Sequence, residues 1–283
     1  MKTLEAAIEQ HMGKRPKRLT PLGGGASAAV YRVDFEDGAR VAAKVGKQGG
    51  DLALEGRMLR TLRQRSRLPV PEVVFAGDTL LLMSYVESAG PITPAVEEDA
   101  AELLANLHDI TAQTFGFEEA TRIGGLPQPN PSTAGWRDFF RDQRLRYMAG
   151  EAVAAGKLPV AFLGRIERLG ARLDEWIAED ARPSLIHGDL WGGNVLAKNG
   201  RIAAFVDPAI YFADAEIELA FATLFSTFGE TFFRRYGELR PLRQGFWEAR
   251  RDLYNLYPLL VHVHLFGGGY VNAVERTLRR FGV

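Results

Sequence analysis

The chain has 283 residues, of which 46% are hydrophobic and 25% charged, so it can bury a sizeable core in one large domain or in two lobes. Its 35 basic and 35 acidic side chains cancel, which argues against nucleic acid or an anionic membrane as a partner. The absence of cysteine excludes disulfides and thiolate metal sites and agrees with a cytoplasmic location. The first segment, MKTLEAAIEQHMGKR, lacks an apolar core, so we expect neither a secretory signal nor a membrane-spanning segment.

The beginning of the chain has the pattern of a small antiparallel sheet that carries one helix. After a short opening helix, two β-rich runs flank the pair Asp37 and Gly38, which is typical of a tight hairpin turn. Leucines at helical spacing from Leu52 to Leu62 then predict an amphipathic helix. Two more strand-like runs follow it. These elements predict a first lobe over residues 1–86.

From Thr93 onward the apolar residues follow a helical period, and aromatic residues continue it from Trp136 to Tyr147. A proline-rich connector, GGLPQPNPSTAG, separates these helices, and short strands are predicted over residues 184–207. Helices rich in aromatic residues close the chain. The pattern predicts a larger, mainly helical second lobe over residues 87–283, and therefore an α+β fold.

The stretch SLIHGDLWGGNVL places polar side chains among glycines directly after a short apolar run. Asp189 precedes Asn194 by the spacing of the D-x-x-x-x-N loop of phosphotransferases, and Asp207 ends the next strand. One acid can accept a proton while the other two residues offer the oxygen ligands that Mg²⁺ prefers. We expect the two glycines before Asn194 to allow a sharp turn. A turn without a function is the alternative interpretation.

A glycine-rich segment, GGGASAAV, matches the phosphate-loop pattern G-x-G-x-x-G-x-V except that Ala28 replaces the third glycine. Gly23, Gly24 and Gly25 would let backbone amides approach phosphates, because they carry no side chain that blocks the approach. Taken alone, the segment favours the alternative interpretation, a flexible turn.

Lys44 ends the phrase VAAK, which is similar to the V-A-I-K of kinases, and is a candidate ligand of the α- and β-phosphates of ATP. Glu55 lies on the apolar face of the predicted helix, where an unpaired carboxylate is costly, so we expect it to pair with Lys44. The alternatives are a solvated lysine at a sheet edge and a helix that turns Glu55 to water.

In the segment LLMSYVE between the lobes, Met83 would line the back of the nucleotide pocket, and the backbone of Ser84 and Val86 would contact adenine.

These motifs together resemble the protein-kinase-like superfamily, and more closely its fructosamine kinase (ketosamine kinase) family, over nearly the whole chain. The family-like phrases include HGDLWGGN, VDPAIYFADAEIELAFATLF, GGLPQPN, WRDFFRDQRL and LYNLYPLLVHVHLFGGGY. The tryptophan directly after H-G-D-L distinguishes the family from aminoglycoside phosphotransferases and choline kinases. The resemblance implies a bilobal kinase-like fold with a small ATP-binding lobe and a larger helical catalytic lobe.

The resemblance also implies roles for individual residues. Asp189 would be the catalytic base, Asn194 and Asp207 would bind Mg²⁺, and Lys44, supported by Glu55, would hold the phosphates of ATP. The acceptor would be the third-carbon hydroxyl of a ketosamine, either a small molecule or a glycated lysine on a protein. The phosphorylated adduct decomposes and returns the free amine, which makes such kinases a deglycation system.

Trp191, next to the predicted base, either stacks on the sugar or anchors the loop as a core aromatic residue. The phrase D-P-A replaces the D-F-G of protein kinases, so no activation-loop switch of that kind is expected. Three acids follow it, Asp214, Glu216 and Glu218, and we expect them to brace the loop rather than meet a substrate amine.

Two other functions fit the same motifs. One is a kinase of another small amine or sugar, of the aminoglycoside or choline type. The other is a nucleotide-binding pseudokinase that acts as an interaction module. The presence of the lysine, the base and both metal ligands in the sequence argues against the second of these.

Overall fold

The computed structural model describes residues 2–23, 28–47 and 51–283. The α-helices of these residues are, in chain order, α1 (Lys2–Met12), α2 (Leu52–Arg65), α3 (Pro94–His108), α4 (Trp136–Phe139), α5 (Tyr147–Ala154), α6 (Ala161–Gly170), α7 (Glu216–Leu224), α8 (Glu230–Leu239), α9 (Arg251–Phe266) and α10 (Gly269–Arg280). Shorter helical segments are the π-helical stretches Phe140–Arg146 and Phe246–Arg250 and the 3₁₀ turns Leu173–Glu175 and Gly192–Asn194.

The strands of the same residues are short. They are β1 (Arg18–Leu22), β2 (Ala29–Asp34), β3 (Arg40–Val45), β4 (Val73–Ala76), β5 (Leu80–Ser84), β6 (Thr121–Ile123), β7 (Leu126–Gln128), β8 (Ser184–Ile186), β9 (Val195–Lys198), β10 (Arg201–Phe205) and β11 (Tyr211–Ala213).

The chain divides into two compact units. Unit 1 consists of Met1–Val96 and Asn194–Pro208, and unit 2 of Glu97–Gly193 and Ala209–Val283. The sequence predicted one boundary, after residue 86. Unit 1 instead extends to Val96 and also includes the later segment Asn194–Pro208. The short strands β9 and β10 pair with each other and belong to unit 1, which a local helical or strand pattern could not reveal.

Unit 1 is built on a five-stranded antiparallel sheet with the order β1-β2-β3-β5-β4. The predicted hairpin is confirmed: β2 and β3 pair up to Asp34 and Arg40, and Gly38 takes the left-handed conformation (φ 81°) that the turn requires. Ile8 of α1 packs on the same core as Val33 of the sheet. The central strand β3 is thus shielded by strands on both sides and by apolar side chains.

Helix α2, also predicted, packs closely on this sheet. Its first turn is capped by Asp51, whose carboxylate accepts a hydrogen bond from the Leu54 amide at 3.3 Å. A Cβ at Gly56 would lie 2.4 Å from the Cβ of Ala76 in β4, so only glycine allows this approach. The close packing carries the neighbouring side chain, Glu55, toward the sheet.

Unit 2 is mainly helical and is centred on α9, which packs against α5, α7 and α10. Two short antiparallel pairs, β6 with β7 and β8 with β11, complete it. Strand β7 lies in the proline-rich connector, for which the sequence predicted no strand, and β6 directly precedes that connector. In the part of the chain that the structure describes, no helix is both long enough and apolar enough to span a bilayer.

Candidate active site

Lys44 lies in the middle of the unit 1 sheet, on β3, opposite Val30 of one neighbouring strand and Leu81 of the other. Only 3% of the residue is exposed. Its Nζ lies 2.7 Å from Oε2 of Glu55 and 2.9 Å from Oδ1 of Asp207. The predicted pair of Lys44 and Glu55 is confirmed, and the interpretation as a solvated edge lysine is wrong.

The electrostatics of this cluster are dominated by burial. Burial would lower the pKa of Lys44, but the carboxylates of Glu55 and Asp207 outweigh it and raise that pKa. Burial raises the pKa of Glu55 to about 7, against the opposing effect of Lys44. Within the described residues, Oε1 of Glu55 is buried and has no hydrogen-bond partner. Two acids therefore share one cation, and an acceptor oxygen is left over.

Asp207 follows β10 and takes a left-handed conformation, with φ of 53°, that side-chain-bearing residues rarely adopt. Such strain is concentrated at functional positions, where surrounding contacts maintain it. About a third of its side chain is exposed (35%), in contrast to that of Lys44. Asp207 therefore combines a fixed contact to Lys44 with a face that a ligand can reach.

Asn194 is buried at the end of the 3₁₀ turn that leads into β9. Its carbonyl accepts a hydrogen bond from the Val206 amide at 3.0 Å, which ties it to the residue just before Asp207. In the described ranges no group of three or more His, Cys, Asp or Glu side chains could hold a metal. Asn194 and Asp207 together offer one amide and one carboxylate side chain. This pair fits Mg²⁺, which proteins usually bind with one or two oxygen side chains together with phosphate and water.

Asp189 lies in unit 2, in the half-buried loop after β8. The preceding Gly188 has φ of 87°, and a Cβ there would lie 2.1 Å from the carbonyl oxygen of Ala209. The Ala209 amide in turn donates to the His187 carbonyl at 2.8 Å. The glycine that this loop requires is thus Gly188.

The carboxylate of Glu218 in α7 holds the same loop from inside the unit. It accepts hydrogen bonds from the amides of His187 (3.2 Å) and Gly188 (2.6 Å), and His108 contacts it at 2.8 Å. Burial alone would raise the pKa of Glu218, but the hydrogen bonds from His108 and the loop lower it. Glu218 therefore braces the loop, as predicted from the sequence for this acid together with Asp214 and Glu216.

The other two acids, Asp214 and Glu216, form a closed cluster with arginines. Asp214 pairs with Arg243 and accepts a hydrogen bond from Tyr254 at 2.7 Å. Glu216 pairs with Arg250 at 2.6 Å and with Arg243 at 3.3 Å. Both acids are buried among these partners, which argues against contact with a substrate amine. Their contacts join α7 to Arg243, Arg250 and Tyr254, and a bracing contact from them to the loop stays a prediction.

Trp191 follows the loop and is 42% exposed, which excludes the interpretation as a core residue. A Cβ at Gly193 would lie 2.2 Å from its ring, whereas one at Gly192 would meet nothing within 4 Å. Neither Gly192 nor Gly193 has a left-handed φ, so the expectation that these two glycines allow the sharp turn is wrong. The indole ring covers Gly193, and a side chain at Gly192 would meet open space.

The predicted adenine contacts lie at the end of β5. Met83 is buried and Val86 is half-buried. The amide of Ser84 donates to the Glu72 carbonyl at 2.8 Å, so any contact from Ser84 to a base must use its carbonyl instead. Gly23 is exposed at the end of β1, and Gly24 and Gly25 lie outside the described residues.

Comparison with known proteins agrees with this arrangement. The family model for fructosamine kinase matches residues 1–281. A probable ketoamine kinase of Enterococcus faecium is 31% identical over 272 residues, which cover 93% of this chain and 95% of the relative.

Two solved structures place the fold. A protein of Thermobifida fusca named as a fructosamine-3-kinase superposes with a TM-score of 0.88 at 30% identity, covering 99% of this chain and 98% of that one. An ADP-bound aminoglycoside phosphotransferase matches with a TM-score of 0.67 at 17% identity, covering 97% of each chain, which indicates the shared fold alone. The chain therefore belongs to the fructosamine kinase family, and it is a kinase with a protein-kinase-like α+β fold.

Proposed function

We propose that this protein transfers the γ-phosphoryl group of ATP, in the presence of Mg²⁺, to the 3-hydroxyl of a ketosamine. Family membership makes the enzyme a ketosamine kinase. The single observation that carries the residue roles is the cluster of Lys44, Glu55 and Asp207, in which two carboxylates share one buried cation.

In this proposal Lys44 binds the α- and β-phosphates of ATP, and Glu55 orients the ammonium group of Lys44 toward these phosphates. Asn194 and Asp207 would hold Mg²⁺, which when bound neutralises phosphate charge as the transfer proceeds. Asp207 already contacts Lys44 at 2.9 Å, so one side chain can orient both positive groups that face the phosphates. The glycine segment from Gly23 to Gly25 would supply backbone amides to the same phosphates.

Asp189 is the proposed base. It accepts the proton of the 3-hydroxyl as the hydroxyl oxygen forms a bond to the γ-phosphorus, and the bond from that phosphorus to the leaving oxygen of ADP breaks. A base in this role must be held within hydrogen-bond reach of the hydroxyl. The backbone before Asp189 is fixed by Glu218 and by Ala209, which supports this assignment.

Trp191 is the proposed contact to the sugar. Its exposed indole has an apolar face, and it lies two residues after Asp189 with its ring packed over Gly193. Met83, the Ser84 carbonyl and Val86 are proposed for adenine. The phosphorylated ketosamine would then decompose and release the amine, and deglycation in the cytoplasm belongs to the same proposal.

The test is ADP release by the purified chain with ATP and Mg²⁺. Fructosyl-lysine, ribulosyl-lysine, an aminoglycoside and choline are offered separately as acceptors. Turnover confined to the ketosamines is expected, and turnover confined to the aminoglycoside or to choline would overturn the substrate assignment. Asp189→Asn should lose turnover and keep ATP binding, whereas Asp174→Asn, a change of an exposed acid, should keep both. A normal rate in Asp189→Asn would contradict its role.

A further inference from the structure

Arg144 is a fully buried arginine that lies in the second unit of the chain. It lies in the π-helical stretch Phe140–Arg146, and no carboxylate among the described residues forms an ion pair with it. Its guanidinium donates instead to the Pro129 carbonyl at 2.8 Å and to the amide oxygen of Asn130 at 2.6 Å. Burying a charge without a counter-charge is costly, and these hydrogen bonds offset part of that cost.

Aromatic rings enclose the rest of the guanidinium. Its carbon lies 4.0 Å from the ring centre of Tyr211, 4.6 Å from that of Phe139 and 5.3 Å from that of Tyr257. Such faces attract a cation and replace part of the lost hydration. Tyr211 in β11 pairs with Ile186 at the end of β8, where the loop of Asp189 begins. Through Tyr211, the arginine therefore contacts the strand that pairs with β8 immediately before that loop.

A chain of hydrogen bonds continues from Arg144 through the hairpin of β6 and β7. Asn130, which accepts from the arginine, donates to the Thr121 hydroxyl at 2.8 Å. The amide of Gln128 donates to the same hydroxyl at 2.7 Å, and the Tyr257 hydroxyl donates to the Gln128 oxygen at 2.6 Å. All of these side chains are buried, and they tie the GGLPQPN segment to the WRDFFRDQRL segment and to α9.

The chain ends on the backbone that contacts the catalytic loop. Gln128 also donates to the Ala209 carbonyl at 3.1 Å. Ala209 donates to the His187 carbonyl, and its own carbonyl occupies the space that a side chain at Gly188 would need. Displacement of Gln128 would therefore remove a hydrogen bond that holds the Ala209 backbone, which supports the loop together with Glu218.

We propose that Arg144 is a positioning residue for phosphoryl transfer, which acts through Asn130, Thr121 and Gln128 on the Ala209 backbone and so sets the loop that carries Asp189. This inference rests on the proposed role of Asp189 as the base. It predicts that the network contributes to the chemical step and not to the binding of ATP.

The test compares native protein with Arg144→Met, Arg144→Lys and Gln128→Met. Arg144→Met and Gln128→Met should each lower kcat by ~10- to 100-fold with the KM for ATP changed less than about twofold, since small displacements of a catalytic group have effects of this size. Arg144→Lys, which keeps the charge but not the planar fork, should recover part of the loss. The double variant should lose little more than either single one, because both changes break the same path.

A second readout does not depend on the acceptor. Hydrogen exchange of the peptide that contains His187 to Leu190 should be faster, by roughly tenfold, in Arg144→Met and in Gln128→Met. Asn255→Ser is the matched control, since this buried polar residue of α9 contacts Thr223 and lies outside the network. It should leave both the exchange and kcat near the native values.

The outcomes separate the two proposals. Native protein that turns over no ketosamine would refute the proposed function, while the exchange data would still test the link from Arg144 to the loop. Variants that lose thermal stability but keep native kcat per ATP-binding site and native exchange would overturn the positioning role. If Arg144→Met does not fold, Gln128→Met carries the same test.

Discussion

Two clusters of buried charge in this protein use similar residues but are completed to different degrees. The β3 cluster consists of Lys44, Glu55 and Asp207. Its two carboxylates share one ammonium group, Asp207 is partly exposed, and Oε1 of Glu55 has no partner within the described residues. The cluster is short of positive charge and of hydrogen-bond donors.

The α7 cluster consists of Asp214, Glu216, Arg243 and Arg250, and its charges balance. Burial would lower the pKa of Arg243, but Asp214 and Glu216 outweigh it and raise that pKa. Arg250 also donates to the carbonyls of Gln244 and Arg243, both at 2.8 Å. Each acid has donors and each arginine has acceptors, so this cluster needs no ligand.

The difference separates a binding site from a structural support. A buried pair that is satisfied on all sides holds elements together, whereas a buried group left unsatisfied in a native structure calls for an explanation. In the proposed function, Mg²⁺ would supply positive charge to the carboxylates of the β3 cluster, and the phosphates of ATP would pair with its lysine. Breaking the α7 cluster should therefore affect folding, and breaking the β3 cluster should affect turnover.

The largest effect is expected from Arg250→Met in the α7 cluster. It leaves Glu216 buried with only its weaker contact to Arg243, so the free energy of unfolding should fall by about 3–5 kcal/mol. Urea denaturation measures it. The rate per ATP-binding site of the folded fraction should stay near native. A loss of rate in fully folded protein would show that this cluster also serves catalysis.

The next effect is expected from Lys44→Met in the β3 cluster. Loss of a cation that stabilises transferring phosphate should lower kcat/KM by about 10²- to 10³-fold in steady-state kinetics. Lys17→Met is the control, because Lys17 forms an exposed ion pair with Glu36 at 3.0 Å. Equal kcat/KM of the two variants would show that Lys44 does not contribute to phosphoryl transfer.

A pH effect on stability follows from Glu55. Its pKa rises from the ordinary 4.5 to about 7 on folding, so the folded protein holds a proton that the unfolded chain releases in that interval. The associated stability is fully present below pH 4.5 and is lost as pH rises through 7, up to about 3 kcal/mol. Lys44 and Asp207 face this carboxyl group.

Glu55→Gln measures this effect, since the variant lacks the titrating group. The free energy of unfolding of native protein minus that of the variant should decrease as pH is raised from about 5 to about 8. A difference that stays constant over this range would show that Glu55 keeps an ordinary pKa.

The smallest effect on stability is expected from Trp191→Ala, because 42% of this residue is already exposed. The free energy of unfolding should change by less than about 1 kcal/mol. The KM for the ketosamine should rise several-fold, since the stacking face is lost, while the KM for ATP stays native. An unchanged KM for the ketosamine would show that Trp191 does not contact the sugar and only covers Gly193.

The pair of Lys44 and Glu55 could be predicted from the sequence, because helical periodicity assigned Glu55 to a buried face and the phrase VAAK marked Lys44 as the nearby cation. The contact of Asp207 with Lys44 could not, since it depends on how a distant segment of chain joins unit 1. Local patterns also misplaced the required glycine. Gly188 is needed because Ala209 approaches it, and no spacing within the motif encodes that approach.

The Arg144 network shows the same limit. Helical spacing predicted apolar contacts from Trp136 to Tyr147, but the π-helical stretch changes which side chains point inward. A buried arginine without an acid has no signature in a charge pattern. The sequence offers one indication, because GGLPQPN and WRDFFRDQRL are family-like phrases. The phrases mark these segments as important but do not indicate what Arg144 does.

The most direct test of the account is calorimetric titration with ATP, with and without Mg²⁺, of native protein and of Asp207→Asn. Asparagine tolerates the left-handed backbone of this position, so the variant keeps the geometry and removes the charge. We predict that Mg²⁺ strengthens ATP binding to native protein and that the variant loses this strengthening. Equal dependence on Mg²⁺ in the two proteins would contradict the claim that the β3 cluster is completed by magnesium and ATP.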